Sequence, residues 1–256
     1  MRKLGVWATV AAFLAVLAAG VPLLAQGNDM AKPPMFIYVS QWAVPRAQWG
    51  DMAKISDSDK ALLDKLVTGG TITGYGEFEN YIHTEGQPTH GSWLSSNSEE
   101  GILKAVDAFM SQSGATAPVL AASKHWDYFL ASRVHNSRSG TYDGAYLSGS
   151  TWLLKPGQAR AFTDLVKARV VPAMEKLLAD GTLASYTLDY QQYATAAPQT
   201  VEFVYIAVDA SGLDKVRKTF QGVFGDDPEI GPAMATLVKA GSQRGFLSHV
   251  SHMVIK

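Results

Sequence analysis

The sequence predicts an α+β protein built from two tandem β-α-β-β-α-β units, and three observations carry that expectation. A stretch that reads as a β-hairpin recurs 111 residues later, with Gly70-Thr71-Ile72-Thr73-Gly74-Tyr75 answered by Gly181-Thr182-Leu183-Ala184-Ser185-Tyr186. The same offset holds without a gap from Pro45 to Phe109, placing Pro156, Lys176-Leu177, Gly212, Lys215 and Phe220 opposite Pro45, Lys65-Leu66, Gly101, Lys104 and Phe109. Hydrophobic periodicity also alternates between two and 3.6 residues in the same order in both copies.

The first extended run is Met35 to Trp42, rich in β-branched and aromatic residues and closed by Pro45. Arg46 to Gly69 follows as a helix, with a Ser56-Asp57-Ser58-Asp59 capping cluster, one apolar face (Leu62, Leu63, Leu66, Val67) and Gly69-Gly70 as its stop. Thr71 to His83 and His90 to Ser96 form the hairpin around a turn at 84–89. A short helix from Ser98 to Met110 and a strand from His125 to Val134 complete the unit.

Residues 136–144 read as a linker. The second unit has a strand at Ala145 to Leu154, a long helix at Gly157 to Asp180 bent at Pro172, hairpin arms at Thr182 to Ala194 and Val201 to Asp209, and a helix at Gly212 to Phe220. An extra helix at Pro232 to Ala240 precedes the last strand, Gly245 to Ile255. The domain limits are thus 1–25 for a leader, 26–135 for the first unit and 145–256 for the second.

The leader has Arg2 and Lys3 followed by an uncharged Leu4 to Leu24, with cleavage expected after Ala25. This predicts export to the periplasm or beyond; an uncleaved membrane anchor is the alternative, because the apolar run is close to the roughly 20 residues that cross a bilayer. With 47% hydrophobic and 18% charged residues the mature chain is expected to fold. Its lack of cysteine excludes disulfides, thiol chemistry and lipid attachment through cysteine. A net charge of -1 without a basic run argues against nucleic acid as partner. There is no G-x-S-x-G, H-E-x-x-H, Walker loop or G-x-G-x-x-G after a strand, so hydrolase, zinc protease and nucleotide-enzyme readings find no support.

A tandem β-α-β-β-α-β chain resembles the dimeric α+β barrel group of ferredoxin-like folds. The resemblance implies two antiparallel sheets packed face to face. It also implies a range of activities: cofactor-free monooxygenases, haem-dependent enzymes related to chlorite dismutase, and stress-response proteins. No catalytic signature of the group maps onto this chain.

If two sheets face each other, period-two alternation separates residues packed on helices from residues lining the space between sheets. In the first hairpin arm Ile72, Gly74, Gly76, Phe78 and Ile82 share one face, and Tyr75, Glu77, Glu79, Tyr81 and His83 the other. The polar-aromatic face, with His90 across the turn, is the expected ligand-binding side, with Tyr186 and Tyr190 of the second unit opposite. His83 and His90 with Glu85 could chelate a metal or serve as acid and base, but their spacing matches no metal motif and two histidines at a loop mouth are more simply solvated. His125 shares a face with Asp127 and joins the ligand-binding set. His249 and His252 fall on opposite faces of a strand.

Three functions remain open from these residues. The first is an exported small-molecule-binding protein without an identified cofactor. The second is an oxidoreductase of the same fold, either cofactor-free or haem-binding through a histidine. The third is a homo-oligomeric structural or stress-response protein.

Overall fold

The computed structural model describes residues 32–112, 117–194 and 199–256. The leader lies outside them. Residues 34–256 form one compact unit of nine strands and seven helices among the described residues. Its strands are β1 (Met35–Ala43), β2 (Gly74–Asn80), β3 (His90–Ser96), β4 (Lys124–Ser137), β5 (Gly140–Tyr142), β6 (Ala145–Leu153), β7 (Leu183–Gln191), β8 (Thr200–Ala207) and β9 (Arg244–Ile255). The helices are α1 (Trp49–Thr68), α2 (Glu99–Gln112), α3 (Pro118–Ala122), α4 (Ala159–Arg169), α5 (Val171–Ala179), α6 (Ala210–Gly225) and α7 (Ile230–Leu237). None of the described helices is long and apolar enough to cross a membrane.

All strand pairs are antiparallel and run β2-β3-β1-β4-β7-β8-β6-β9, with β9 pairing back onto β2. The sheet therefore closes into an eight-stranded barrel, and β5 lies along β9 beyond the end of β6. Two seams complete the closure, β4 against β7 and β2 against β9, and each carries a register shift. An extra residue at such a point bends the strand and raises its twist, which closure of a barrel requires.

Three apolar clusters follow from closure. On the outside of the first half, Leu63 and Val67 of α1 and Ile102 and Ala105 of α2 pack on Tyr75 and Leu94. Outside the second half, Phe162, Val166, Met174, Leu177 and Val216 of the helices pack on Tyr186, Leu188, Val201 and Phe203. The third cluster joins Val39, Phe78 and Trp93 to Leu147, Ala184, Val204, Ile206 and Val250, and is the inside of the barrel. There the first half fills its own space: Phe78 lies over Gly91 and Trp93 over Gly76. A methyl group added at Gly91 would sit 2.4 Å from the Phe78 ring.

Several elements differ from the sequence expectation. The first helix starts at Trp49, well before the Ser56 cluster, after a 3-10 turn at Arg46–Gln48. The long helix of the second half is two helices that break at Val170; Pro172 sits in the first turn of α5, where its missing N–H is no loss. The 136–144 segment is largely extended, because β4 runs on to Ser137 and β5 pairs with β9. Helix α3 was not expected; Pro118 at its start and Val119 beneath Val44 and Met52 hold it in place.

Two glycine substitutions should have opposite signs. Gly91→Ala meets the Phe78 ring and should destabilise by about 1–3 kcal/mol. Gly50→Ala, in α1 with open space around it, should stabilise by up to about 1 kcal/mol. Urea denaturation measures both; equal effects would contradict the inward packing of Phe78.

Candidate functional site

On β7, Tyr186, Leu188 and Tyr190 pack against the helices, so alternation turns Thr187 and Asp189 inward. On β8, Val201 and Phe203 face the helices, and Glu202 points inward with Val204 and Ile206. Asp189 and Glu202 are direct cross-strand partners. Two carboxyl groups thus stand side by side within the barrel. Ser132 of β4 is opposite Asp189 on its other side, and Thr151 of β6 is opposite Glu202. Across the lumen, Gln41 pairs with Trp126 and Val39 with Tyr128 on the inner faces of β1 and β4.

The two carboxyl groups have unequal surroundings. Asp189 is 2% exposed, and both of its oxygens are bound: the Ser132 hydroxyl donates to Oδ1 and the Thr187 hydroxyl to Oδ2, the latter at 2.5 Å. Burial pushes its pKa up to about 6, with the two hydroxyls pulling the other way. Glu202 has no hydrogen-bond partner among the described residues. Its side chain is half-buried, and strand alternation turns it toward the inside of the barrel. Burial pushes its pKa up to about 7, and the neighbouring Asp189 adds to the rise. The Tyr128 phenol is also raised, by burial first and then by the charge of Glu202.

Ionising both groups would place like charges about 5 Å apart, at a cost on the order of 3 kcal/mol for an effective dielectric constant of about 20. A single charge on the pair is therefore favoured, and Asp189, whose two oxygens accept from hydroxyls, is the better stabilised anion. Buried carboxyl groups with raised proton affinity are found both at chemically active sites and in structural pairs. This arrangement can accept a proton from a bound molecule, return it, or hold a hydrogen-bond donor.

The residues expected from sequence to bind ligand lie elsewhere, all on outward faces. Tyr75, fully buried, donates its hydroxyl to Asp64 of α1 at 2.9 Å and meets His252 Nε2 at 3.1 Å. Glu77 is 6% exposed beneath α1, and burial raises its pKa against the pull of Lys60 and Ser56. Glu79 pairs with His90 on one side and His249 on the other. Tyr81 stacks on His249 at 5.6 Å and is largely exposed.

His83 and His90 do come together, both against Trp49, with centroids at 6.2 and 5.2 Å. Burial lowers the His90 pKa. No group of three or more metal-ligating side chains occurs among the described residues. His125 contacts Ser40 at 2.7 Å and Asp127 at 3.1 Å and stacks on Trp42 at 4.8 Å. Both Ser40 and Asp127 address the same imidazole nitrogen, so this is not the relay of a serine hydrolase, in which the two partners take opposite nitrogens.

Tyr186 donates to Glu175 of α5, and Tyr190 bonds Thr163 at 2.8 Å with Arg133 stacked over its ring at 4.2 Å. The Tyr75 set and the Tyr186 set therefore belong to two different helix-covered faces and do not enclose a common space. The face taken as the ligand side is the helix side, because α1 supplies the partners that Glu77 and Tyr75 need. Asp189 and Glu202 were missed; a lone acid within each of the apolar runs Leu188-Asp189-Tyr190 and Val201-Glu202-Phe203 was the available signal.

No family model matches the sequence, and no curated protein matches it. Solved structures do. A candidate monooxygenase from Lactobacillus acidophilus superposes with a TM-score of 0.61 at 12% identity, covering 88% of this chain and 97% of that one. A candidate monooxygenase from Fusobacterium nucleatum gives 0.63 at 11% identity, over 87% and 94%. An anthrone oxidase-like protein gives 0.51 at 12% identity, over 88% and 94%. Chlorite dismutases fall in the same set. At these identities the likeness establishes a fold, that of the dimeric α+β barrels. The haem expected as one alternative from the sequence would need an axial ligand. Two surface grooves, one at α6 and the sheet and one between α5 and α6, contain no histidine, so neither offers an imidazole to an iron.

The carboxyl pair predicts the pH dependence of stability. The native state holds the Glu202 proton more tightly than the unfolded chain, so this stabilisation is complete below the ordinary value of 4.5 and is lost as pH rises through about 7. Glu202→Gln should flatten the fall in stability across that window, by an amount on the order of 3 kcal/mol. Urea melts at a series of pH values measure the difference; parallel curves for the two proteins would contradict an enclosed Glu202.

Proposed function

We propose that this chain is an exported, internally duplicated α+β barrel that binds a small molecule in its lumen and exchanges a proton with it through Glu202. The observation that carries this reading is the enclosed Glu202 carboxyl, without a hydrogen-bond partner, beside an Asp189 whose oxygens are both bound. Burial raises the Glu202 proton affinity, and the charge of Asp189 beside it adds to the rise. A ligand hydroxyl or acidic C–H placed against Glu202 loses its proton to a carboxylate whose surroundings favour the neutral acid. Tyr128 and Gln41, both on inward faces, are polar groups suited to orienting such a ligand.

Fold likeness to candidate monooxygenases and to an anthrone oxidase-like protein supports oxidoreductase chemistry, in which proton removal would be the protein's part. Repeated contacts support the duplication. Each half has the same strand order, β2-β3-β1-β4 and β7-β8-β6-β9. Tyr75 bonds Asp64, and Tyr186 bonds Glu175, at the same separation in sequence. Gly70 and Gly181 end their helices at φ 75° and 85°. Ser98 caps the Gly101 N–H, and Asp209 caps that of Gly212. The basic and apolar Met1 to Ala25 segment supports export, and N-terminal sequencing of the exported protein should begin at Gln26.

Native mass spectrometry of protein purified from its own host tests the luminal reading. A small-molecule adduct should be present, and Glu202→Leu should lower its occupancy at least about tenfold, or about 1.4 kcal/mol, while Tyr81→Ala, on the outer face, leaves it unchanged. An adduct insensitive to Glu202→Leu would overturn the assignment.

A further inference from the structure

The outer face of the second half holds a groove of about 900 Å³ between α6 and strands β6, β8 and β9. Its walls are apolar and aromatic. Tyr205 meets Phe220 edge to face at 5.7 Å, Phe220 meets Phe224 at 5.7 Å, and Leu213 and Leu247 extend the surface. Arg217 lines it, no acidic residue does, and Arg217 makes no ion pair among the described residues.

Comparison with the first half shows why the space is open. Tyr38 pairs with Leu94 and Phe129, and Ser148 pairs with Tyr205 and Leu247, so Ser148 holds the place of Tyr38 in its half. By the same register Gly245, opposite Ser150, holds the place of Asp127, opposite Ser40. Arg217 stands 111 residues after Val106. In the first half Tyr38, Phe129, Val106 and Phe109 pack the corresponding volume into the helix-covered cluster. The second half has serine and glycine on the strands and a cation on the helix. The apolar groove is left unfilled by the chain itself, and Arg217 stands exposed at its edge with its charge available to a ligand.

We propose that this groove binds an aromatic anion, its ring against Tyr205, Phe220 and Phe224 and its acidic group on Arg217. The apolar walls fix the body and the guanidinium fixes the charge and its orientation. Ring-on-ring contact with the aromatic wall favours a planar ligand over a flexible chain. The site is on the outside of the sheet and does not rest on the luminal reading.

Fluorescence titration with 8-anilino-1-naphthalenesulfonate, an aromatic anion, tests it against N-phenyl-1-naphthylamine, a neutral molecule of similar shape. The anion should bind at one saturable site. Arg217→Gln should weaken it about tenfold or more, equivalent to about 1.4 kcal/mol, with the neutral probe changed less than about twofold and Arg217→Lys intermediate. Phe224→Ala should weaken both probes, and Glu202→Gln should weaken neither, which separates this site from the lumen. Equal losses of both probes in Arg217→Gln, or no loss, would overturn the anion assignment. Sedimentation showing a dimer that Phe224→Glu dissociates, with no anion bound, would assign the groove to a second copy of the chain and overturn the proposal.

Discussion

Closure of the sheet is the constraint on which the remaining structure depends. Once β9 pairs with β2 and β4 with β7, no strand of the ring keeps a free edge. Closure also gives each strand an inner and an outer face with no third option. Helices cover much of the outside, so both faces can be buried. Residues that in an open sheet would reach water must then find partners in the protein.

The two halves meet that demand differently inside and out. Outside, polar side chains beneath α1 and α5 are paired with the helices: Tyr75 with Asp64, Tyr186 with Glu175, and Glu77 near Ser56 and Lys60. Inside, the first half uses ring-on-glycine packing, with Phe78 over Gly91 and Trp93 over Gly76. The inner wall of the second half instead carries Asp189 and Glu202. Removing one member of such a pair relieves repulsion and burial together, so the pair is not explained as a stabilising feature. Its cost to folding is what singles it out as a site.

Element order was readable because periodicity signals survive in a single sequence: Met35 to Trp42 is strand-like whatever surrounds it, and Leu62, Leu63, Leu66 and Val67 mark a helix face. Helix starts and breaks were less readable. Trp49 opens α1 without a side-chain cap, and Pro172 marks the break of the second-half helix only to within two residues, at Val170. Alternation separated Tyr75, Glu77 and Glu79 from Gly74, Gly76 and Phe78, but it carries no sign. Polarity suggested that the first set faced the ligand, whereas glycine, by admitting an aromatic ring from the neighbouring strand, marked the inner face. Asp189 and Glu202 come from different strands, and only the β7–β8 register brings them side by side.

The central claim is that Glu202 holds a proton beside Asp189 inside the barrel near neutral pH. Infrared difference spectroscopy of the carboxyl stretching bands, recorded as pH is raised from about 5 to about 8, addresses it directly. The account predicts a band of a protonated, water-excluded carboxylic acid that disappears across this range in the native protein and is missing in Glu202→Gln. A native protein whose carboxyl groups are all ionised by about pH 5 would contradict it.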